Sequence, residues 1–125
     1  MGNKVLVVED NQKNRKLMVD ILRHYGFDVI EAESGREGIE SAHGHMPDLI
    51  FMDIQMPGIN GFEAIRVLKE APETKHIRII AVTSFAMRGD KEKILEAGAD
   101  GYMSKPIDTR ALPEIAKKNM PDIKK

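Results

Sequence analysis

The sequence predicts an α/β protein in which a five-stranded parallel sheet is covered by helices on both faces. Short β-prone segments alternate with helical patterns five times along the chain, which is typical of parallel strands joined by crossover helices. Three of the β-prone segments are continuously apolar, as expected for strands buried on both faces. With 125 residues, the chain is long enough for one domain with a substantial core. We therefore expect a single doubly wound domain over residues 1–125.

The five predicted strands are short and rich in apolar or β-branched residues. They are Val5–Val8, Asp28–Ala32, Leu49–Met52, Ile79–Val82 and Gly101–Ser104. In parallel sheets of this kind, functional sites form at the carboxyl ends of the strands. The residues that follow each strand are therefore the candidates for a site.

The segments between the strands carry helix signals. Over Asn14–Tyr25, apolar residues fall at the spacing of one helix face, with Leu17, Ile21 and Leu22 predicted to face the core. Gly26 is expected to end this helix.

Two further helices have recognisable start signals. Ser34 and Glu37 form a capping-box pattern, and Asn60 and Glu63 form a looser version of it. A helix should therefore begin directly after Ser34 and directly after Asn60.

The last helix should follow Pro106, with Asp108 as its cap. Pro113 falls where a helix starting at Thr109 would need an amide hydrogen. Two alternatives stay open, a single turn before a helix that restarts at Pro113, or a kinked helix.

Composition and charge exclude several functional classes. The chain has 20 acidic residues against 19 Lys and Arg, with no basic block, so we expect no nucleic-acid partner. It contains no Cys, which excludes thiolate chemistry and cysteine-ligated metal. No apolar run approaches the roughly 18 residues of a membrane span, and the first residues lack a signal-peptide core. The sequence thus predicts a cytoplasmic protein without a membrane partner.

Polar residues of related chemistry follow four of the predicted strands. They are Glu9 and Asp10 after the first, Asp53 after the third, Thr83 and Ser84 after the fourth, and Lys105 and Pro106 after the fifth. Each of these residues or pairs alone has an ordinary structural explanation as a cap, a turn or a solvated loop. Because the carboxyl ends of parallel strands share one edge, all of these residues should lie on one rim, and their conjunction favours a functional site.

The chemistry of this set points to phosphoryl transfer. Three carboxylates in one cleft repel each other, and Mg²⁺, which prefers oxygen ligands, removes that repulsion. With a metal between Asp10 and Asp53, Asp53 keeps one oxygen as a candidate nucleophile toward phosphorus. Lys105 would supply a point charge and Thr83 a hydrogen bond to phosphoryl oxygens.

Four stretches, in this order and spacing, resemble the response-regulator receiver family over essentially the whole chain. They read VLVVEDN, PDLIFMDIQMPGINGFE, IIAVTSFA and GADGYMSKPID. The resemblance implies a flavodoxin-like sheet with strand order 2-1-3-4-5. It also implies two-component signalling, in which a histidine kinase or a phosphotransfer protein donates a phosphoryl group and the receiver then contacts a downstream protein target. Within the family, the chain most resembles stand-alone receivers that regulate cell division.

The same resemblance assigns roles to individual residues. It implies that Asp53 accepts the phosphoryl group, with Lys105 as its phosphate partner and Thr83 as the switch hydroxyl. The implied Mg²⁺ shell consists of Glu9 acting through water, Asp10, Asp53 and the backbone carbonyl of Gln55. Tyr102 matches the aromatic residue that rotates during switching, although it also reads as a half-buried strand tyrosine. Lys105–Pro106 is a candidate cis peptide.

The surface that meets a partner is predicted at the start of the first helix. A histidine donor must reach Asp53, so it must cover the rim, and this helix begins there. Asn14, Arg15 and Met18 are expected to contribute to partner choice and little to the chemistry.

Three functional alternatives remain at the sequence level. The first is a free-standing receiver that signals by protein contact, not an enzyme in the usual sense although it should catalyse its own phosphorylation and dephosphorylation. The second is a phosphorelay shuttle or the receiver fragment of a hybrid histidine kinase. The third, a Mg²⁺-dependent phosphatase of the haloacid-dehalogenase type, ranks lower, because such enzymes carry an Asp at the place of Gln55.

Overall fold

Strands and helices alternate strictly in the computed structural model, which describes residues 3–56, 58–84 and 88–120. The strands are β1 Lys4–Val8, β2 Asp28–Ala32, β3 Leu49–Asp53, β4 Arg78–Thr83 and β5 Gly101–Ser104. The helices are α1 Gln12–His24, α2 Gly35–His45, α3 Gly61–Glu70, α4 Arg88–Ala97 and α5 Ala111–Lys118. Within the described ranges, no helix has the length and apolar character to cross a membrane.

All five strands are parallel and lie in the order β2-β1-β3-β4-β5. This confirms the predicted doubly wound, flavodoxin-like sheet. β3 occupies the centre, where Phe51 lies opposite Val7 on one side and Ile80 on the other. Every residue of β3 is buried, which is why its sequence is almost continuously apolar.

The two faces of the sheet carry separate apolar cores. In β1, Leu6 and Val8 point into the core beneath α2, α3 and α4, whereas Val5 and Val7 point into the core beneath α1 and α5. The alternation follows from the two-residue period of a strand. Three helices therefore cover one face and two cover the other.

Side-chain caps confirm the predicted starts of α2 and α3. Ser34 Oγ accepts a hydrogen bond from the backbone N–H of Glu37 at 3.1 Å. Asn60 Oδ1 accepts one from the backbone N–H of Glu63 at 2.9 Å. α1 ends close to Gly26, whose φ of 92° lies in the region that favours glycine, as predicted.

The inner face of α1 differs from the prediction. Leu17 is 39% exposed, whereas Met18 is 1% and Val19 2% exposed, and both pack with Leu22 in the core of this face. The prediction that Leu17 faces the core was therefore wrong. Apolar residues lie on two adjoining sides of this helix, so their spacing alone did not determine which side is buried.

α5 resolves the two alternatives left open around Pro113. Asp108 Oδ1 accepts hydrogen bonds from the backbone N–H groups of Arg110 at 2.9 Å and Ala111 at 3.1 Å. The Asp108 carbonyl accepts one from the backbone N–H of Leu112 at 3.0 Å. This capped turn precedes α5, which begins at Ala111. Pro113 lies in the first turn of α5, where an amide hydrogen has no partner within the helix. A turn followed by a helix is therefore correct, with the helix beginning two residues before Pro113.

Candidate functional site

Polar side chains from four neighbouring strands meet at the carboxyl edge of the sheet. Asp53 is the last residue of β3 and Thr83 the last of β4, while Glu9 directly follows β1 and Lys105 directly follows β5. Because β1, β3, β4 and β5 are adjacent in the sheet, these residues are brought to one end of the molecule.

Three carboxylates form the centre of this site. One oxygen from each of Glu9, Asp10 and Asp53 lies within 4.8 Å of the others. Glu9 and Asp53 are each 1% exposed, whereas Asp10 is exposed. The backbone N–H of Asn11 donates to Glu9 Oε2 at 3.0 Å, and that of Gln55 donates to Asp53 Oδ1 at 3.1 Å. The local backbone thus satisfies one oxygen of each buried carboxylate.

The ammonium of Lys105 lies between the two buried carboxylates. Its Nζ is 3.2 Å from Asp53 Oδ1 and 3.3 Å from Glu9 Oε1. The Lys105 backbone N–H donates to the carbonyl of Thr83 at 2.8 Å, which ties the loop after β5 to the end of β4. The one positive charge of Lys105 cannot balance two ionised carboxylates, so the buried part of the site has room for a further cation.

Two buried carboxylate oxygens, Asp53 Oδ2 and Glu9 Oε1, accept no hydrogen bond from the described residues. Glu9 Oε1 has the ion contact with Lys105. Leaving a buried carboxylate oxygen unpaired is costly. Mg²⁺ prefers such carboxylate oxygens, with water completing an octahedral shell. The residues present therefore fit a divalent cation, which Glu9, Asp10 and one Asp53 oxygen could hold while the other Asp53 oxygen stays available.

The electrostatics of the site follow from burial. Burial, reinforced by Glu9, raises the pKa of Asp53 from 3.8 to about 7, although Lys105 acts against this rise. Burial acts to lower the pKa of Lys105, but Asp53 and Glu9 outweigh it, so the Lys105 pKa is raised. The lysine therefore stays charged at neutral pH, whereas the charge on Asp53 is disfavoured without a further cation.

The Gln55 side chain makes contacts that the sequence did not predict. Its Nε2 donates to Thr83 Oγ1 at 3.0 Å, and its Oε1 accepts the backbone N–H of Ser84 at 3.1 Å. The resemblance implied that the backbone carbonyl of Gln55 is a metal ligand. The side-chain contacts do not test that role, which stays a prediction. An exposed glutamine after a strand carries no sequence signal for such a contact.

Glycines shape the loop after Asp53. A Cβ at Gly61 would collide with the backbone of Asp53 and Ile54, so only glycine lets α3 begin this close to the end of β3. The N–H of Gly61 donates to the carbonyl of Ile54 at 3.2 Å. Gly58 has φ 78°, which also favours glycine. Pro57, the other residue expected to shape this loop, lies outside the described residues.

Tyr102 lies in β5, opposite Ala81 of β4, and is half-buried. Its ring packs against the core beneath α2, α3 and α4, and Lys91 Nζ is 5.5 Å from the ring centroid. This placement agrees with the interpretation of Tyr102 as a half-buried strand tyrosine. Its role in switching stays a prediction. The Lys105–Pro106 peptide is cis, as predicted.

The predicted partner residues of α1 do not share one surface. Arg15 is 9% exposed, because its guanidinium donates to the Glu9 carbonyl at 2.9 Å and to the Glu31 carboxylate at 3.2 Å. Met18 is 1% exposed in the core. Neither side chain is therefore exposed for direct contact with a partner, and a contribution of Arg15 and Met18 to partner choice stays a prediction. Asn14 is half-buried, and its contribution to partner choice stays a prediction.

Comparison with known proteins adds to this geometry. The family model described as the response regulator receiver domain matches residues 5–117. The polar-differentiation response regulator DivK of Brucella ovis is 43% identical to this chain over 122 residues, which covers 98% of this chain and 99% of the relative.

Solved structures of similar chains show the same architecture. The chemotaxis protein CheY4 of Vibrio cholerae superposes with a TM-score of 0.90 at 27% identity, covering 95% of this chain and 99% of that one. The receiver domain of the sensor histidine kinase PA1611 from Pseudomonas aeruginosa superposes with a TM-score of 0.87 at 32% identity, covering 95% and 98%. That structure holds a magnesium ion coordinated in its active site cleft.

The family match spans most of the chain, the DivK relative matches nearly end to end, and the fold superposes on that of a chemotaxis protein. Acceptance of a phosphoryl group is the general function of this family. The chain belongs to the response regulator receiver domain family of two-component signalling.

Proposed function

We propose that Asp53 accepts a phosphoryl group from the phosphohistidine of a histidine kinase or a phosphotransfer protein, in a Mg²⁺-dependent reaction. One observation carries this assignment. Asp53 Oδ2 is buried at the end of the central strand and accepts no hydrogen bond from the described residues, while Oδ1 is held by Lys105 and by the Gln55 backbone. The carboxylate is thus anchored through one oxygen and presents the other.

In the proposed step, Asp53 Oδ2 attacks phosphorus and forms a P–O bond. The P–N bond to the donor histidine breaks, and the imidazole leaves with the electron pair. Lys105 stays charged and attracts a phosphoryl oxygen, and Thr83 donates its hydroxyl hydrogen to another. Positioning and charge neutralisation are most of what phosphoryl transfer requires.

The proposed metal ligands are Glu9 through water, Asp10, Asp53 and the Gln55 carbonyl. Bound Mg²⁺ neutralises charge on phosphoryl oxygens and relieves repulsion among the carboxylates. Asp10 is the exposed member of the three carboxylates, so its side chain is accessible to an ion from solvent. The chain's own residues thus account for both halves of the site, the metal half and the ammonium half.

Signalling requires a two-state element that phosphorylation biases. We propose that Thr83 moves toward the phosphoryl group and that Tyr102, half-buried on the adjacent strand, fills the space that it leaves. The output is then a changed surface that a downstream protein recognises.

A second candidate is a phosphorelay shuttle or the receiver of a hybrid histidine kinase. The likeness to the receiver domain of a sensor histidine kinase supports it. The two candidates differ in the fate of the phosphoryl group, since a shuttle passes it to a phosphotransfer protein faster than it hydrolyses. Both place the protein in the cytoplasm, where ATP charges histidine kinases.

Intact-mass measurement tests the central assignment. With Mg²⁺ and acetyl phosphate, the protein should gain one acid-stable, base-labile phosphoryl group, and Asp53→Asn should gain none. Asp20→Asn is the matched control, because Asp20 is exposed on α1 and pairs with Lys16; it should label like wild type. Undiminished labelling of Asp53→Asn would refute the assignment.

A further inference from the structure

The side chain of Gln55 bridges two loops at the edge of the site. Gln55 lies in the loop after β3, and both ends of its amide reach the end of β4. Its Nε2 donates to Thr83 Oγ1 at 3.0 Å, and its Oε1 accepts from the Ser84 N–H at 3.1 Å. Its own backbone N–H donates to Asp53 Oδ1 at 3.1 Å. One residue therefore contacts the proposed phosphoacceptor and the proposed switch hydroxyl.

The chemistry of this bridge matches a carboxamide. The bridge needs a donor for the Thr83 hydroxyl oxygen and an acceptor for the Ser84 N–H, and an amide offers one at each end. Thr83 itself is fully buried, whereas Gln55 is exposed. The amide thus links a buried hydroxyl to an exposed loop.

The bridge restricts how Thr83 can move. A hydrogen bond of 3.0 Å can lengthen by only about half an ångström before it is lost. Displacement of the Thr83 hydroxyl by more than this either breaks its bond to Gln55 or pulls Gln55 along. The second course strains the bond between Gln55 and Ser84.

We infer that Gln55 is a positioning residue whose side-chain amide holds the Thr83 hydroxyl and the Ser84 backbone in their unphosphorylated arrangement, and so opposes switching. The effect on switching rests on the proposed function of Asp53 and Thr83. The bridge itself does not depend on that function. Loss of the amide should therefore raise the population of the switched state before any phosphoryl group arrives.

The first test concerns the bridge. Gln55→Met keeps the length of the side chain and removes the amide. Native-state hydrogen exchange of the Ser84 amide should be roughly fivefold faster in the variant, the effect of losing one ordinary hydrogen bond. Gln12→Met is the matched control, because Gln12 is the other glutamine in the sequence and is exposed on α1; it should leave Ser84 exchange unchanged. Unchanged exchange in Gln55→Met would overturn the bridge.

The second test concerns switching. In NMR spectra of the unphosphorylated proteins, the resonances of β4 in Gln55→Met should lie displaced along the line from unphosphorylated to phosphorylated wild type. Displacement off that line, or none, would overturn the positioning role, because a merely local disturbance does not follow the switching direction. If phosphorylation of wild type at Asp53 fails altogether, the proposed function falls, while the Ser84 exchange result still decides the bridge.

Discussion

At the residue scale, burial and charge act against each other at Asp53. The residue is 1% exposed, and burial together with Glu9 raises its pKa to about 7. Stability alone would not select a carboxylate at this position, because an incompletely paired buried charge is costly. The same burial leaves Asp53 Oδ2 without a hydrogen bond to the described residues, which suits a nucleophile. The instability of the metal-free site and its proposed chemistry therefore have one origin.

The raised pKa predicts how stability depends on pH without divalent metal. Below the ordinary pKa of 3.8, Asp53 is protonated in both the folded and the unfolded chain, so its burial does not lower the free energy of unfolding through charge. Between 3.8 and about 7, the folded state binds the proton more tightly than the unfolded state does. The contribution of Asp53 to stability therefore falls as the pH rises through this window, and the penalty is complete above it.

Asp53→Asn should consequently stabilise the metal-free protein at about pH 8, with a gain on the order of 2 kcal/mol in the free energy of unfolding. The melting temperature should rise by about 5–10 °C. The gain should be much smaller near pH 4, where Asp53 of the folded wild-type protein is largely protonated. Thermal unfolding in EDTA at both pH values measures this, with Asp20→Asn as an exposed control that should change little. A less stable Asp53→Asn at the higher pH would contradict the burial penalty.

At the scale of elements, polar contacts as well as apolar packing orient α1. Arg15 is 9% exposed and joins α1 to two other segments, since it donates to the carbonyl of Glu9 at 2.9 Å and pairs with Glu31 of β2 at 3.2 Å. A weaker contact reaches Glu33 at 3.5 Å. Arg15 therefore anchors the backbone of Glu9, a residue of the candidate site.

Arg15→Met should lower the free energy of unfolding by about 1–2 kcal/mol. The buried Glu9 carbonyl loses its charged donor, while the Glu31 and Glu33 carboxylates are exposed enough to be rehydrated. Lys16→Met is the neighbouring control, because the Lys16–Asp20 pair is exposed and should contribute about 0.5 kcal/mol or less. Urea unfolding of both variants measures the difference. Equal small effects would show that Arg15 does not anchor α1.

At the scale of the whole molecule, the fold places the site and one helix start at the same edge. The sheet brings the ends of β1, β3, β4 and β5 together, and α1 begins three residues after Glu9. On the outer side of α1, Leu17 is 39% exposed and Asn14 is half-buried, one turn apart. We predict that a partner that brings a histidine to Asp53 contacts this side of α1.

The double variant Asn14→Ala, Leu17→Gln should slow phosphoryl transfer from the cognate kinase or phosphotransfer protein roughly tenfold or more, if the pair supplies about 1.4 kcal/mol of binding. Acetyl-phosphate labelling should stay near the wild-type rate, because neither residue belongs to the site. Leu95→Gln is the control, since Leu95 is 54% exposed on α4, which packs on the opposite face of the sheet. Retained transfer would place the docking surface elsewhere, and equal loss of both activities would indicate damage to the fold.

Much of the fold and the composition of the candidate site could be predicted from the sequence. Apolar runs such as Leu49–Met52 predicted buried strands, and Ser34 and Asn60 predicted helix starts, because both signals are local. The convergence of Glu9, Asp53 and Lys105 followed from topology, because the carboxyl ends of parallel strands share one edge.

The tertiary structure alone decided which side of α1 is buried, what the Gln55 side chain contacts, and how far the pKa of Asp53 rises. Met18 is buried and Leu17 exposed because the neighbouring core of the sheet and α5 accommodates one of two apolar sides. Gln55 and Thr83 are 28 residues apart in the chain, so no local pattern could join them. Secondary structure follows from patterns along the chain, and the strand order was implied by the family resemblance. Contacts, burial and charge depend on residues that only the folded chain brings together.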